Sequence, residues 1–380
     1  MTGQEGFLLR SPLVGKDSNF RGYLFATTSD TAVPYRQLFA AIEARRSPGG
    51  ICLIEDNGAA FDEVSEEVPD SVIVCLTEAR ANCIAPLRQR RVGSCARLTG
   101  AMQDLPPALA AADFVWLDLS QGESVRTVAR AAQRLPGQRI AGGIASRAQF
   151  EDAKDLGIKL FEGNWYREVT GPGPKQITPG QAAVLELIDL TRREAPVGQI
   201  EQVLKRDATL SFRLLRYINS AGFGLSCEIQ SFRHAVSILG YQNLSRWLAL
   251  LLATSGTTAA APVLMREAAV RGRLTELIGE SFMAREERDN LFIVGVFSLL
   301  PAILQMPIER LLDQLNLPET VNDALLTRSG LYGPIVRLAE SVEAKESATL
   351  AKAAADMQLS VAQVNRLHLE ALAWANQLTA

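Results

Sequence analysis

The sequence changes its periodicity once, at Thr170-Gly171-Pro172-Gly173-Pro174, and that change does most to restrict the fold. Glycine and proline there stop helices and strands alike, so the segment reads as a short linker. Ahead of it, short apolar runs alternate with amphipathic segments, the pattern of strands and helices arranged around a mostly parallel sheet. Behind it no alternating run occurs, and the apolar spacing is helical throughout. The 380 residues suit two domains, each able to bury a core, at about 100–200 residues per domain. The expected boundaries are 1–170, a linker at 171–177, and 178–380.

In the first half, Phe7 to Val14, Phe20 to Thr27, Ile51 to Ile54, Ser71 to Leu76, Ser94 to Leu98, Phe114 to Leu117, Arg139 to Gly142 and Ile158 to Phe161 read as strands. Gly15-Lys16-Asp17-Ser18-Asn19 reads as a hairpin turn, which makes the first pair antiparallel. Helices are expected after Ser120 and Ser146, with Glu123 and Gln149 in capping-box spacing. These strands suggest a barrel of the TIM kind, which usually takes about 250 residues. The expectation is therefore a trimmed barrel, with some helices lost or cut to single turns.

In the second half, Thr178-Pro179-Gly180-Gln181 supplies a cap, a proline at the first helical position and a capping-box glutamine. The helix it opens runs through Val184, Leu185, Leu187, Ile188 and Leu190. Asp207 reads as the N-cap of a helix to about Asn219, with Leu210, Leu214, Leu215 and Ile218 on one stripe. Asn219-Ser220 suits the exit from that helix. Ser231 caps another helix, carrying Phe232, Val236 and Leu239 and ended by Gly240, and Ser360 opens the last, to Leu378.

A net charge of -3 creates no field that would draw the chain to nucleic acid or an anionic membrane. Cys52, Cys75, Cys83, Cys95 and Cys227 are odd in number and lack Cys-x-x-Cys spacing, which points to reduced thiols in the cytoplasm, with Cys52 and Cys75 as core residues. The most apolar run, Trp247 to Ala253, is far shorter than the roughly 20 residues of a membrane span and reads as a buried helix. Met1 to Arg10 has no leader pattern, so a cytoplasmic location is expected.

The run "IEQVLKRDATLSFRLLRYINSAGFGLSCEIQSFRHAVSILG" resembles the signature of the HDOD domain, an all-helical relative of HD-type metal phosphohydrolases. Its signature positions here are Asp207, Asn219, Ser220, Ser231, His234 and Gly240. Asn290 to Leu300 and Leu311 to Pro318 resemble that family's later helices. The N-terminal half is similar to the degenerate EAL domain found ahead of HDOD in one bacterial signalling family. The resemblance implies a trimmed EAL-type α/β barrel with one antiparallel strand, followed by an all-α HDOD domain.

An EAL phosphodiesterase linearises cyclic di-GMP at a two-metal site, and holding Mg²⁺ or Mn²⁺ there takes hard carboxylate ligands. On the family's motifs, the Glu-Ala-Leu glutamate falls at Leu24, a later ligand at Cys75, the paired aspartates at Thr99-Gly100 and the lysine at Trp116. The late glutamate becomes Ala145 and the glutamine becomes Glu162, which leaves Asp118 as the surviving acid. HD hydrolases need an adjacent His-Asp pair, yet the two histidines are followed by Ala235 and Leu369, and Ser298-Leu299 stands at the implied doublet. His234 and His368 are read as structural. Hydrolase-elbow, P-loop and dinucleotide motifs are absent from the sequence.

No catalytic, metal or cofactor site is expected from these residues. The chain reads as an inactive signalling scaffold in cyclic di-GMP or two-component signalling, working through protein partners. The alternative is a non-hydrolysing cyclic di-GMP receptor that binds weakly at the barrel mouth, with arginines clamping phosphates and Trp116 or Trp165 stacking on guanine. Leu24 and Ala145 would leave that mouth more apolar than a charged ligand prefers.

Overall fold

The structure, a computed structural model, describes residues 6–27, 37–40, 50–56, 68–99, 107–120, 122, 124–131, 135–169, 177–206, 210, 231–256, 258–284, 288, 290–313, 315, 317–344 and 347–378. Contacts divide the chain into two units, Met1–Glu168 with Glu340–Leu369, and Val169–Ala339 with Glu370–Ala380. The first division falls beside the expected linker, whereas residues 340–369 fall by their contacts in the same unit as the barrel.

In the first unit, β1 (Leu8–Gly15) and β2 (Phe20–Thr27) form the antiparallel hairpin, from Leu8 opposite Thr27 to Val14 opposite Phe20. Its turn is closed by Gly15 N on Asn19 O at 2.8 Å, and the Asp17 carboxylate accepts from Asn19 N at 3.1 Å. Then follow β3 (Ile51–Asp56), β4 (Val72–Leu76), β5 (Gly93–Thr99), β6 (Phe114–Asp118), β7 (Gln138–Ile144) and β8 (Leu160–Gly163). All eight strands close into a barrel in sequence order. Only β1 runs against its neighbours, antiparallel to both β2 and β8.

Alternation along each strand sends one face inward. Leu13, Leu24, Leu53, Ile73, Cys75, Cys95, Trp116, Ile140 and Leu160 fill the barrel. Gly142 makes room for the indole, because a Cβ there would lie 2.0 Å from Trp116 Cζ2.

The connections are short among the described residues. A 3₁₀ turn (Glu78–Cys83) and α1 (Ile84–Gln89) follow β4, and one 3₁₀ segment (Pro107–Ala111) precedes β6. Next come α2 (Val125–Ala131) after β6 and α3 (Arg147–Asp155) after β7. Ser146 caps α3, accepting from Gln149 N at 3.3 Å. Ser120 caps no helix: α2 starts at Val125, and Ser120 N donates instead to Asp118 Oδ1 at 3.0 Å.

The second unit contains α4 (Pro179–Arg192), α5 (Val197–Lys205), α6 (Phe232–Ala253), α7 (Ala261–Gly279), α8 (Leu291–Phe297), α9 (Leu300–Leu304), α10 (Ile308–Leu312) and α11 (Glu319–Leu326). The capping box at α4 is complete, with Gln181 N on Thr178 Oγ1 at 3.2 Å and Thr178 N on Gln181 Oε1 at 2.9 Å. Gly240, at φ 75° and ψ 165°, is non-helical and ends the helix begun at Ser231 as expected; a second helix follows at once, so α6 consists of two helical stretches on either side of a kink. Trp247 to Ala253 is buried within α6. At the crossing of α7 and α8, a Cβ on Gly295 would lie 2.5 Å from Thr275 Oγ1 and 2.7 Å from Gly272 Cα. The helix expected from Asp207 to Asn219 lies outside the described residues apart from buried Leu210.

The end of α12 (Gly333–Ala344), α13 (Ser347–Asp356) and the first part of α14 (Val361–Leu378) complete the first unit. Ser360 caps α14, accepting from Gln363 N at 3.3 Å. The segment is tied to the start of β1: Asn365 Oδ1 accepts from Leu8 N at 2.7 Å, and Asn365 Nδ2 donates to Gly6 O at 2.9 Å.

Candidate functional site

At the C-terminal ends of the parallel strands, the inward stripe turns from apolar to charged. The period of two puts Glu55 on the face of Leu53, Arg97 on that of Cys95, Asp118 on that of Trp116 and Glu162 on that of Leu160. These four line a cavity of about 450 Å³, together with Trp116, Ala145, Tyr166, Arg167 and Glu343.

Arg97 lies between two carboxylates, with Nη2 2.7 Å and Nε 3.1 Å from Asp118 Oδ2, and Nη1 3.2 Å from Glu55 Oε1. Burial alone would push the Asp118 carboxyl up. The Ser120 and Arg97 hydrogen bonds and the Arg97 charge outweigh it and hold the group below the ordinary aspartate value. Burial likewise opposes the charge on Arg97, but Glu55 and Asp118 raise its affinity for the proton above the usual value.

A second cluster borders the first. Arg167 Nη2 donates to Glu343 Oε2 at 2.6 Å, and Glu343 Oε1 lies 3.6 Å from Arg10 Nη2, with the Arg10 and Glu343 side chains only 1% and 2% exposed. Arg10 Nε donates to His368 Nε2 at 3.2 Å, and its guanidinium lies 4.9 Å from the centre of the Tyr23 ring. His368 Nδ1 is 3.2 Å from Leu8 O, so a neutral ring protonated on Nδ1 satisfies both neighbours. Burial and the Arg10 charge pull the His368 pKa down to about 3, against a smaller opposing effect from Glu343 and the Leu8 carbonyl.

The positions implied by the EAL resemblance separate into three groups. Leu24 and Cys75 are barrel core; Cys75 sits opposite Cys95, and the Cys95 hydrogen bond and burial push its thiol up. Trp116, Asp118, Ala145 and Glu162 reach the cavity, and Glu162 Oε2 accepts from Gly143 N at 2.9 Å. Thr99 ends β5 and is exposed, while Gly100 lies outside the described residues. Trp165 is buried against Phe150, with ring centres 4.9 Å apart and stacked, so it does not reach the cavity.

Asp118, the acid that survives at the motif positions, shares its cavity with Glu55, Glu162 and Glu343, so the mouth carries more charge than Leu24 and Ala145 by themselves would give it. Glu55 is an inward position of its observed strand, one residue past the Ile54 end read from the sequence. Glu343 was not legible in the sequence, since it arrives from a distant helix. Among the described residues, no group of three or more His, Cys, Asp and Glu could hold a metal ion.

In the helical unit, Ser298 Oγ accepts from buried Arg271 Nη1 at 2.7 Å and donates to Gly295 O at 2.6 Å, while Leu299 is core. His234 N donates to the Ser231 cap at 3.2 Å. Asp207, Asn219 and Ser220 lie outside the described residues.

The architecture defines a chain in which a closed eight-stranded barrel precedes a helical region, and residues 181–300 of that region match the HDOD domain family. Among characterised and uncharacterised relatives, the chain is similar to the uncharacterized protein YuxH of Bacillus subtilis, 25% identical over 244 residues, which are 63% of this chain and 59% of that one. It is also similar to the cyclic di-GMP phosphodiesterase CdgJ of Vibrio cholerae, 24% identical over 250 residues, 66% of this chain and 58% of that one. The chain thus matches less than two thirds of the length of either relative. Solved structures similar to it include the PaMucR phosphodiesterase in complex with c-di-GMP, at 15% identity and a TM-score of 0.33 over 41% of this chain and 88% of that one. A standalone EAL protein from Vibrio cholerae O395 in its c-di-GMP-bound form matches at 16% identity and a TM-score of 0.30, over 42% of this chain and 90% of that one. No helix among the described residues is long and apolar enough to cross a membrane.

Proposed function

We propose that this chain is a non-catalytic regulator in cyclic di-GMP signalling that acts through contacts with protein partners in the cytoplasm. The observation that carries the reading is the engagement of Asp118: one carboxylate oxygen takes two Arg97 hydrogen bonds and the other takes Ser120 N. Binding a divalent cation there would require breaking a charge-assisted pair, since Arg97 already supplies the positive charge that a metal would bring. Leu24 and Cys75, the positions that the resemblance assigns to ligands, are spent on packing. The similarity to CdgJ supports the signalling context.

Purified chain incubated with cyclic di-GMP and Mn²⁺ should yield no linear dinucleotide above a metal-free control, and turnover above that control would overturn the reading. A second reading, a non-hydrolysing cyclic di-GMP receptor, draws support from the size of the cavity and from Arg97, Trp116 and Tyr166 on its walls. Isothermal titration separates the two, because heat of binding with tens of micromolar protein favours the receptor and its absence removes it.

A further inference from the structure

The helical unit holds a cavity of about 210 Å³ beside α4, which shares no lining residue with the barrel cavity. Leu185 and Ile188 of α4, Phe297 at the end of α8, and Leu315 and Leu317 beyond α10 give it apolar walls. Arg192, in the last turn of α4, is the cation on its lining, together with Glu186 and Asp189.

The three charges are not equivalent. Glu186 lies 3.6 Å from Arg206 and Asp189 lies 3.5 Å from Arg193, so each acid has its own cationic partner. Arg192 has a neutral one: its Nε donates to Asn290 Oδ1 at 3.0 Å, and Asn290 Nδ2 reaches the Tyr332 hydroxyl at 3.5 Å. Among the described residues, no carboxylate stands within ion-pair distance of Arg192. Burial works against its charge and lowers its pKa, with Asp189 and Tyr332 compensating in part. A guanidinium held by one edge, half-buried and facing an apolar space, is a preformed fork for a carboxylate.

We propose that this cavity binds a carboxylate with a short apolar tail, the carboxylate on Arg192 and the tail against Leu185, Phe297 and Leu317. A volume of about 210 Å³ is below the roughly 300–1,000 Å³ of sites for drug-sized ligands, so the tail is limited to a single side chain or a few carbons. A free short-chain acid and the C-terminal residue of a polypeptide both present this chemistry. The site is independent of the barrel mouth and of the reading given for it.

Ligand-observed NMR on the full chain, with hexanoate and N-acetyl-leucine as probes and their amides as controls, tests the assignment. The expected result is that at least one acid binds, and that its amide binds about ten-fold more weakly or worse, as loss of a charge-assisted hydrogen bond requires. Binding of hexanoate alone identifies a small-molecule site, and binding of N-acetyl-leucine alone identifies a site for chain termini. Arg192→Met should weaken binding by a similar factor while leaving the circular dichroism spectrum unchanged. If that variant does not fold, Arg192→Lys and the acid-to-amide comparison on the wild type still decide. Equal binding of acid and amide, no binding of either acid at millimolar concentration, or wild-type affinity in a folded Arg192→Met would overturn the proposal.

Discussion

His368 makes the first unit acid-sensitive in a way that can be worked out from its surroundings. The ring is 1% exposed and accepts from Arg10 Nε, so a proton on Nε2 would remove that hydrogen bond and set two cations 3.2 Å apart. Its folded pKa of about 3 lies below the ordinary value of 6.5. As pH falls, the unfolded chain therefore takes up the proton first. The contribution of the neutral ring is complete above about pH 6.5 and is lost progressively toward about pH 3. At about pH 5 the loss is about 2 kcal/mol, from a gap of about 1.5 pH units at 1.36 kcal/mol per unit. Glu343, on the far side of Arg10, moderates this but does not reverse its direction. Urea unfolding of the wild type and of His368→Gln at a series of pH values isolates the effect, since other groups titrate in both. The difference in stability should narrow by about 2 kcal/mol between about pH 7.5 and about pH 5. Parallel profiles across that range would refute the buried, neutral assignment.

Four other outcomes follow from particular contacts. Glu343→Ala removes a buried carboxylate that faces both Arg10 and Arg167 and should be destabilising, by up to about 3–5 kcal/mol, read from the denaturant midpoint. Arg97→Met removes the charge that holds Asp118 down, so the Asp118 carboxyl should titrate at higher pH by carbon-13 NMR; an unmoved titration would show that Ser120 alone sets it. Gly295→Ala forces a methyl group against Thr275 and Gly272 and should destabilise the helical unit by about 1–3 kcal/mol in thermal melts. Thr178→Ala breaks the capping box of α4 at a cost of about 1 kcal/mol, with Thr178→Ser retaining most of the stability.

The sequence alone determined the features that depend on neighbours a few residues away. Alternation marked all eight strands, Asp17 and Asn19 marked the hairpin, and the Thr178, Ser146, Ser231 and Ser360 caps each stand at a helix start. Part of the candidate site follows from the same period once each strand is carried to its observed end, because the last inward position faces the barrel mouth, as Glu55, Arg97, Asp118 and Glu162 do; the strands read from the sequence stopped at Ile54, Leu117 and Phe161, one residue short of three of these. Reading the mouth from Leu24 and Ala145 missed this by following motif positions and not the period of the strand.

Tertiary structure alone decided which charges meet. Glu343 pairs with Arg167 across 176 positions, and Asn365 and His368 bond to β1 across more than 350, so the barrel unit is completed by residues assigned by sequence to the other half. Propensity and periodicity fall silent at such separations, where only chain closure brings the groups together. Once they are together, the low-dielectric interior makes their pairing obligatory, because each would be costly to bury alone.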